Sequence, residues 1–217
     1  MRLDVLIDYI SPLVSSVVWV DRYAGLVQKL EKRTSDNKST VTYPVACNVI
    51  NANCGTKPPF EALVPDDRAS SIVYWEELTS MTTSPLLDSK SGANWNGWVR
   101  SKGRARVVVW ANLKKLGISE CTLPPSSYLE LQRTLTIETN IALPVDVNGV
   151  AQNGSLKVFP FRVAPKDVNE VFGKYTYKKN VNYYLKPYDY FALDVEFVID
   201  YCYKREVRFI PSPPINC

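Results

Sequence analysis

With 217 residues, 46% of them hydrophobic and 22% charged, the chain has the size and composition of one globular domain that can bury its own core. Its net charge of +4 is too small to indicate a nucleic-acid binder. The absence of histidine excludes Ser–His and Cys–His nucleophilic pairs, histidine bases and zinc sites that need imidazole. No apolar run approaches the roughly 18 residues that span a bilayer, and Asp4 and Asp8 interrupt any N-terminal leader, so we expect a soluble protein made in a cytoplasm.

The first element predicted along the chain is an amphipathic helix. Apolar residues recur at spacings of three and four from Leu3 to Val17, as they do on the buried face of a helix. Pro12 lies inside this pattern and removes a backbone donor. A kink is therefore expected there, or a restart of the helix capped by Ser11.

Strand-like segments follow the helix. Residues 17–21 and 26–32 are predicted strands, and residues 40–50 are expected to complete a hairpin with Pro44 at an edge or a bulge. Residues 71–75 form another predicted strand. The segment 79–97 is rich in Ser, Thr, Gly and Asn, and we interpret it as a long loop or an extended arm that reaches a neighbouring subunit.

A basic segment occupies the middle of the chain. Over residues 98–113 four cations are spaced by two, so an extended strand presents all of them on one face, opposite Val99, Ala105 and Val107. We call these four residues the basic stripe: Arg100, Lys102, Arg104 and Arg106.

A helix and a strand are predicted after the basic segment. Ser126 or Ser127 can cap a helix that runs as far as Thr139. Residues 157–163 are a predicted strand, and Pro165 can begin a short helix through Val171.

The last strand has the clearest pattern. From Phe191 to Tyr203 an apolar or aromatic residue occupies every second position, which predicts a long strand with one buried and one polar face. The proline-rich residues 205–217 cannot continue that strand and are predicted to be an extended tail on a surface or a partner. The polar face carries what we call the acidic stripe: Asp194, Glu196 and Asp200.

The order of these elements predicts a single domain over residues 1–217 of the α+β class. We expect a mainly antiparallel sheet with the N-terminal and central helices packed on one face, and long loops.

The two charged stripes have three interpretations. In the first, they are solvated faces that keep the protein soluble. In the second, they meet, within one sheet or between neighbouring subunits, and help to determine register and partner choice. In the third, the basic stripe contacts nucleic-acid phosphates without regard to sequence.

Paired carboxylates are the catalytic chemistry that the composition leaves open. The chain has no P-loop, no G-x-G-x-x-G loop and no G-x-S-x-G elbow. Its acidic doublets are Asp66 with Asp67 and Glu76 with Glu77, and adjacent acids in a strand point to opposite faces. We therefore predict no catalytic residue, no metal site and no cofactor, and we keep a carboxylate-only hydrolase as a third hypothesis.

The five cysteines do not form a pattern typical of a secreted disulfide framework. Their number is odd and no C-x₂-C pair occurs, so we expect free thiols in a reducing cell, with a Cys47–Cys54 bridge as the alternative.

Several segments together resemble the small head–tail joining proteins of tailed bacteriophages. The N-terminal LDVLIDYISPLV and VVWVD, the hairpin strand TYPVACNV and the closing YYLKPYDYFALDVEFVIDYCY are similar in pattern and order to tail-terminator, tail-completion and neck-ring subunits, including those of crAss-like and Bacteroides phages. The resemblance covers residues 3–50 and 181–205.

This resemblance implies a structural virion protein that is not an enzyme. Such a subunit forms a homo-oligomeric ring, six- or twelve-fold, in the neck or tail, joins head to tail around the DNA channel, and contacts portal, neck or tail proteins. It is made in the host cytoplasm and has no membrane partner. The basic stripe is then a candidate lining of the channel, with non-specific contact to packaged DNA, and both stripes are candidate subunit interfaces.

The alternative hypothesis is a binding module for carbohydrate or protein. The chain has five tryptophans and 13 tyrosines, and aromatic side chains on a surface can form such a contact site.

Overall fold

A computed structural model describes residues 2–33, 40–46, 61–63, 67–87, 95–143, 152–176 and 185–202. Within these ranges the chain forms three helices and eight strands. In chain order they are α1 (Leu3–Ser15), β1 (Arg22–Arg33), β2 (Thr40–Ala46), β3 (Glu61–Ala62), β4 (Ser71–Leu87), β5 (Trp95–Asn112), α2 (Pro125–Thr134), β6 (Ile137–Leu143), β7 (Gln152–Val163), α3 (Val168–Phe172) and β8 (Tyr188–Cys202).

All eight strands belong to one sheet, in the order β3-β2-β1-β4-β5-β8-β7-β6. Only β1 and β4 run parallel, and every other neighbouring pair is antiparallel. The prediction of a mixed helix and strand fold with a mainly antiparallel sheet is confirmed.

One face of the sheet carries a buried apolar cluster that includes side chains of α1 and α2. Alternate residues of β5 and β8 point to this face because side chains along a strand alternate between its two sides. Val107 and Leu193 are fully buried there, in one cluster with the apolar side chains of both helices. The helical members are Leu3, Leu6, Ile7, Ile10, Val14 and Leu131.

The opposite face is divided into an apolar half and a charged half. In the apolar half Trp110 and Tyr190 pack with Val171 and Phe172 of α3. Every second residue of β5 and β8 points to this face, and along both strands these residues change from apolar to charged. The charged half therefore carries both stripes.

The first helix does not restart at Pro12. It is continuous from Leu3 to Ser15, and the Ser11 hydroxyl donates a 2.8 Å hydrogen bond to the Ile7 carbonyl instead of capping a new helix. Packing explains the continuity, since Ile10 and Val14, on either side of the break expected at Pro12, are both wholly buried in the same apolar cluster.

Two other boundaries differ from the predictions. Residues 17–21 form a turn in which the Val20 amide donates to the Val17 carbonyl at 2.9 Å, so the predicted strand there is wrong. The helix expected to reach Thr139 begins at Pro125 and ends at Thr134, and neither Ser126 nor Ser127 caps it. The alternating β-branched residues of β6 account for the early end, because they suit a half-buried strand.

The hairpin of β1 with β2 is confirmed, and Pro44 is not at a bulge. It lies opposite Lys29 of β1, in a register without shifts. On its other side the short β3 pairs only with Val45 and Ala46, so Pro44 lies just beyond the end of that ladder, where β2 is an edge strand.

The interpretation of residues 79–97 as a loop is wrong for their described parts. Residues 79–87 and 95–97 belong to β4 and β5, which form a long antiparallel ladder. Cross-strand hydroxyl pairs support that ladder, as between Thr83 Oγ1 and Ser101 Oγ at 2.7 Å. Residues 88–94 and the predicted tail 205–217 lie outside the described residues.

Candidate functional site on the polar face of the sheet

The two charged stripes meet within one sheet. Because β5 and β8 are antiparallel neighbours, each of three cations lies directly opposite a carboxylate: Arg100 opposite Asp200, Arg104 opposite Glu196, and Arg106 opposite Asp194. Of the three interpretations from the sequence, this arrangement corresponds to stripes that meet in one subunit. We call this side of β5, β8 and β7 the paired-charge face.

Arg106 is the most buried member of the basic stripe. Its Nε donates to Asp194 Oδ1 at 2.6 Å, and the two side chains are only 9% and 4% exposed. Nη1 donates to the Glu170 carbonyl at 2.8 Å and Nη2 to Glu170 Oε1 at 3.1 Å, which ties α3 to the sheet. Burial lowers the pKa of Arg106, but the hydrogen bonds and charges of Asp194 and Glu170 outweigh it, and the pKa lies above its ordinary value.

The other two ion pairs are more open to solvent. Arg100 binds Asp200 in a two-pronged geometry, with Nε–Oδ1 at 2.6 Å and Nη2–Oδ2 at 2.7 Å, and this hydrogen bonding raises the pKa of Arg100. Arg104 donates from Nε to Glu196 Oε1 at 2.9 Å, and its guanidinium lies 4.9 Å from the centre of the Phe161 ring. Both ion pairs therefore have a defined geometry but remain accessible to solvent.

Lys102 differs from the other three members of the basic stripe. It is exposed and lies opposite Val198, and among the described residues it makes no ion pair. The basic stripe thus presents one unneutralised cation instead of the four that the sequence suggested.

Three aromatic side chains lie exposed on the paired-charge face. Trp98, Phe159 and Phe161 are 37%, 37% and 46% exposed. Trp98 lies two residues before Arg100 on β5, so its side chain is on the same face as the basic stripe. Phe159 lies opposite Glu196 and therefore shares that face. Sequence reasoning predicted the strand 157–163 but not this exposure, because the face of β7 that stays uncovered depends on its pairing with β8.

The described members of the acidic doublets lie apart from each other. Glu76 is buried and Glu77 is exposed, as expected for neighbours in a strand. Glu76 Oε2 accepts a salt bridge from Lys174 at 3.1 Å, and burial, followed by the charge and hydrogen bond of Glu76, raises the pKa of Tyr175. Asp67 accepts a hydrogen bond from Tyr188, and Asp66 lies outside the described residues. Glu76 and Asp67 thus connect distant segments of the chain.

Among the described residues, one cysteine differs from the expected free thiols. Cys121 is free and exposed, whereas Cys202 at the end of β8 is disulfide-bonded. The remaining three cysteines are outside the described residues.

Neither a metal cluster nor a membrane-spanning helix occurs in the part of the chain that the structure describes. Its His, Cys, Asp and Glu side chains form no group of three or more that is placed to hold a metal ion. Its helices are also too short and polar to cross a bilayer.

The chain was also compared with known proteins. No family model, no curated protein and no solved structure matches it.

Proposed function

We propose that this chain is a structural virion protein that forms an oligomeric ring in the neck or tail of a tailed phage and joins head to tail around the DNA channel. In this proposal it is not an enzyme, it is made in the host cytoplasm, and its partners are further copies of itself and other neck, portal or tail proteins. The observation that supports the proposal best is the paired-charge face, with its exposed aromatic residues among ordered ion pairs.

The composition of this face suits a contact between proteins. Aromatic residues and arginine are enriched in protein interfaces, and here the Arg104 guanidinium already lies over Phe161. Side chains that are held before binding lose less entropy when a partner covers them. Partners can therefore bind this face at a low ordering cost.

Of the two roles expected for the stripes, a subunit interface is supported better than a DNA-channel lining. Arg100, Arg104 and Arg106 are neutralised by carboxylates at hydrogen-bonding distance, and neutralised cations attract phosphate weakly. Lys102 is the candidate for non-specific contact with packaged DNA.

The finer layering expected from the sequence belongs to the same proposal. The two longer helices occupy one face of the sheet, which leaves part of the opposite face and the β4–β5 ladder for neighbouring subunits. The short α3 packs on the opposite face, beside the paired-charge face.

The ring is tested by measuring the mass of the purified protein by light scattering and by negative-stain microscopy, alone and with candidate neck proteins. We expect closed rings, or ring formation on addition of a partner. Phe161→Ala should weaken that assembly, while Leu129→Ala, which removes a half-exposed apolar side chain from α2, should not. A protein that stays monomeric with every neck, portal and tail protein of its phage contradicts the proposal.

The DNA contact is tested separately with Lys102→Glu. Because Lys102 has no carboxylate partner in the described residues, the variant should keep its stability and its rings but lose DNA retention or passage. Lys114→Glu, an exposed change in the turn after β5, is the matched control. Normal infectivity of Lys102→Glu virions removes the channel role and leaves the ring proposal intact.

The second candidate function, a binding module for carbohydrate or protein, also rests on Trp98, Phe159 and Phe161. A monomer whose tryptophan fluorescence changes on titration with a glycan, and loses that response in Trp98→Ala, would favour it.

A further inference from the structure

The sheet ends at β6, whose outer edge has no neighbouring strand among the described residues. Natural proteins protect such edges with proline, bulges or unpaired charges. None of these occurs in β6. It pairs with β7 over all seven residues without a register shift, and its single charged side chain, Glu138, is bound by Lys157 Nζ at 2.7 Å.

The other long edge of the sheet is built differently. Beyond Trp75 the described part of β4 has only β5 beside it, but that stretch contains three register shifts and Pro85. These features discourage the addition of another strand. Of the edges formed by the longer described strands, β6 is therefore the one suited to accept a strand.

We propose that β6 pairs with β6 of a second copy, antiparallel and about a two-fold axis through Asn140. The support is the self-complementarity of the strand sequence IETNIAL. A two-fold axis at Asn140 places Ile137 opposite Leu143 of the second copy, Glu138 opposite Ala142, and Thr139 opposite Ile141.

This register satisfies the two requirements of strand pairing. Residues directly opposite each other point to the same face, so Thr139 and Ile141 stay on the side of the apolar core, where Ile141 is buried. The only charged residue, Glu138, faces an alanine, so no like charges are opposed. Sliding the pairing by two residues brings the two Glu138 side chains closer together or shortens the ladder.

The inference is independent of the proposed ring. A two-fold contact uses the same edge of both copies and closes on itself, and it involves no residue of the paired-charge face. It therefore adds a second, isologous contact to whatever the paired-charge face binds.

Opposite charges at one position test the register. Ala142 is exposed, so Ala142→Glu and Ala142→Lys should leave the monomer folded. In the proposed dimer residue 142 faces Glu138 twice, once on each side of the axis. Ala142→Glu should weaken dimerisation by about threefold to tenfold, Ala142→Lys should strengthen it, and high salt should reduce both effects. Equal responses to the two variants, in sedimentation equilibrium with unchanged melting temperatures, overturn the proposal.

Cysteine cross-linking provides a readout that is the same whether or not rings also form. In a Cys121→Ser background, Asn140→Cys places two thiols opposite each other at the axis, within the range of a disulfide. Ala142→Cys, the control, places them roughly 13 Å apart along the strands. Mild oxidation should give a covalent dimer with Asn140→Cys only. Equal cross-linking of both variants, or of neither, rejects the β6 pairing. If Asn140→Cys still cross-links but no rings are found, only the ring proposal is rejected.

Discussion

Arg106 and Asp194 lie directly opposite each other on β5 and β8, 88 positions apart in the chain, and are joined by a 2.6 Å hydrogen bond between almost fully buried side chains. The same guanidinium holds both the backbone and the side chain of Glu170. This one cation therefore connects the neighbouring strands β5 and β8 to α3.

Replacing Arg106 should lower the free energy of unfolding far more than replacing Arg104 on the same strand. Arg106→Ala leaves the buried Asp194 carboxylate without its main partner, and we expect a loss of about 3–5 kcal/mol in the free energy of unfolding. Arg104 is half exposed, so Arg104→Ala, the matched control, should cost less than about 1 kcal/mol. Urea denaturation measures both, and equal losses would contradict the assigned role of burial.

Alkaline stability should depend on Tyr23. Burial, with a smaller contribution from the charge of Asp8, raises the pKa of Tyr23 to about 12, although the hydrogen bonds with Ser11 and Trp75 act in the opposite direction. A pKa raised in the folded state gives stability that is complete below pH 10 and is lost as the pH rises through 12. This amounts to about 2–3 kcal/mol.

Tyr23→Phe tests this linkage. The variant removes the ionisable group, so its unfolding free energy should fall less steeply than that of the wild type between pH 10 and 12. At pH 7 the same variant reports only the loss of the two 2.9 Å hydrogen bonds with Ser11 and Trp75. Identical slopes for both proteins above pH 10 would show that Tyr23 does not carry the effect.

Gly103 is required by the close approach of Met81. A Cβ at position 103 would lie 2.4 Å from the Met81 sulfur, so Gly103→Ala forces this partly buried side chain to move. We expect a cost of about 1–3 kcal/mol, the usual range for overpacking. In a Met81→Ala background the same change should cost much less, and additive losses in this double-mutant cycle would contradict the contact.

Thr176 connects the segment after α3 to β2 through reciprocal hydrogen bonds. Its hydroxyl accepts from the Thr42 amide at 2.8 Å, and its own amide donates to the Thr42 hydroxyl at 2.9 Å. Thr176→Val leaves the Thr42 amide without this acceptor, at a cost of about 1–3 kcal/mol. Thr176→Ser keeps the hydroxyl and should be close to wild type in thermal denaturation. A larger loss for Thr176→Ser than for Thr176→Val would indicate that the methyl group matters instead.

The charged face shows how far prediction from the sequence reaches. Alternation in residues 98–113 and 191–203 is a local signal, so both strands and the side of each charge were predictable. The observed register was not, since it depends on packing apolar residues of β5 and β8 against α1 and α2 at the same time. The exposure of Phe159 and Phe161 was not predictable for a similar reason, because the face of β7 that stays uncovered depends on its pairing with β8.

By itself the sequence determined the class of fold, the long alternating strands and the lack of imidazole chemistry, because these follow from composition and from the two-residue period of a strand. Tertiary structure alone decided that the cations of the basic stripe are mostly neutralised, that Pro12 is accommodated within one helix, and that residues 79–87 belong to the sheet. The physical reason is that these outcomes depend on burial shared between distant segments, and only folding brings those segments together.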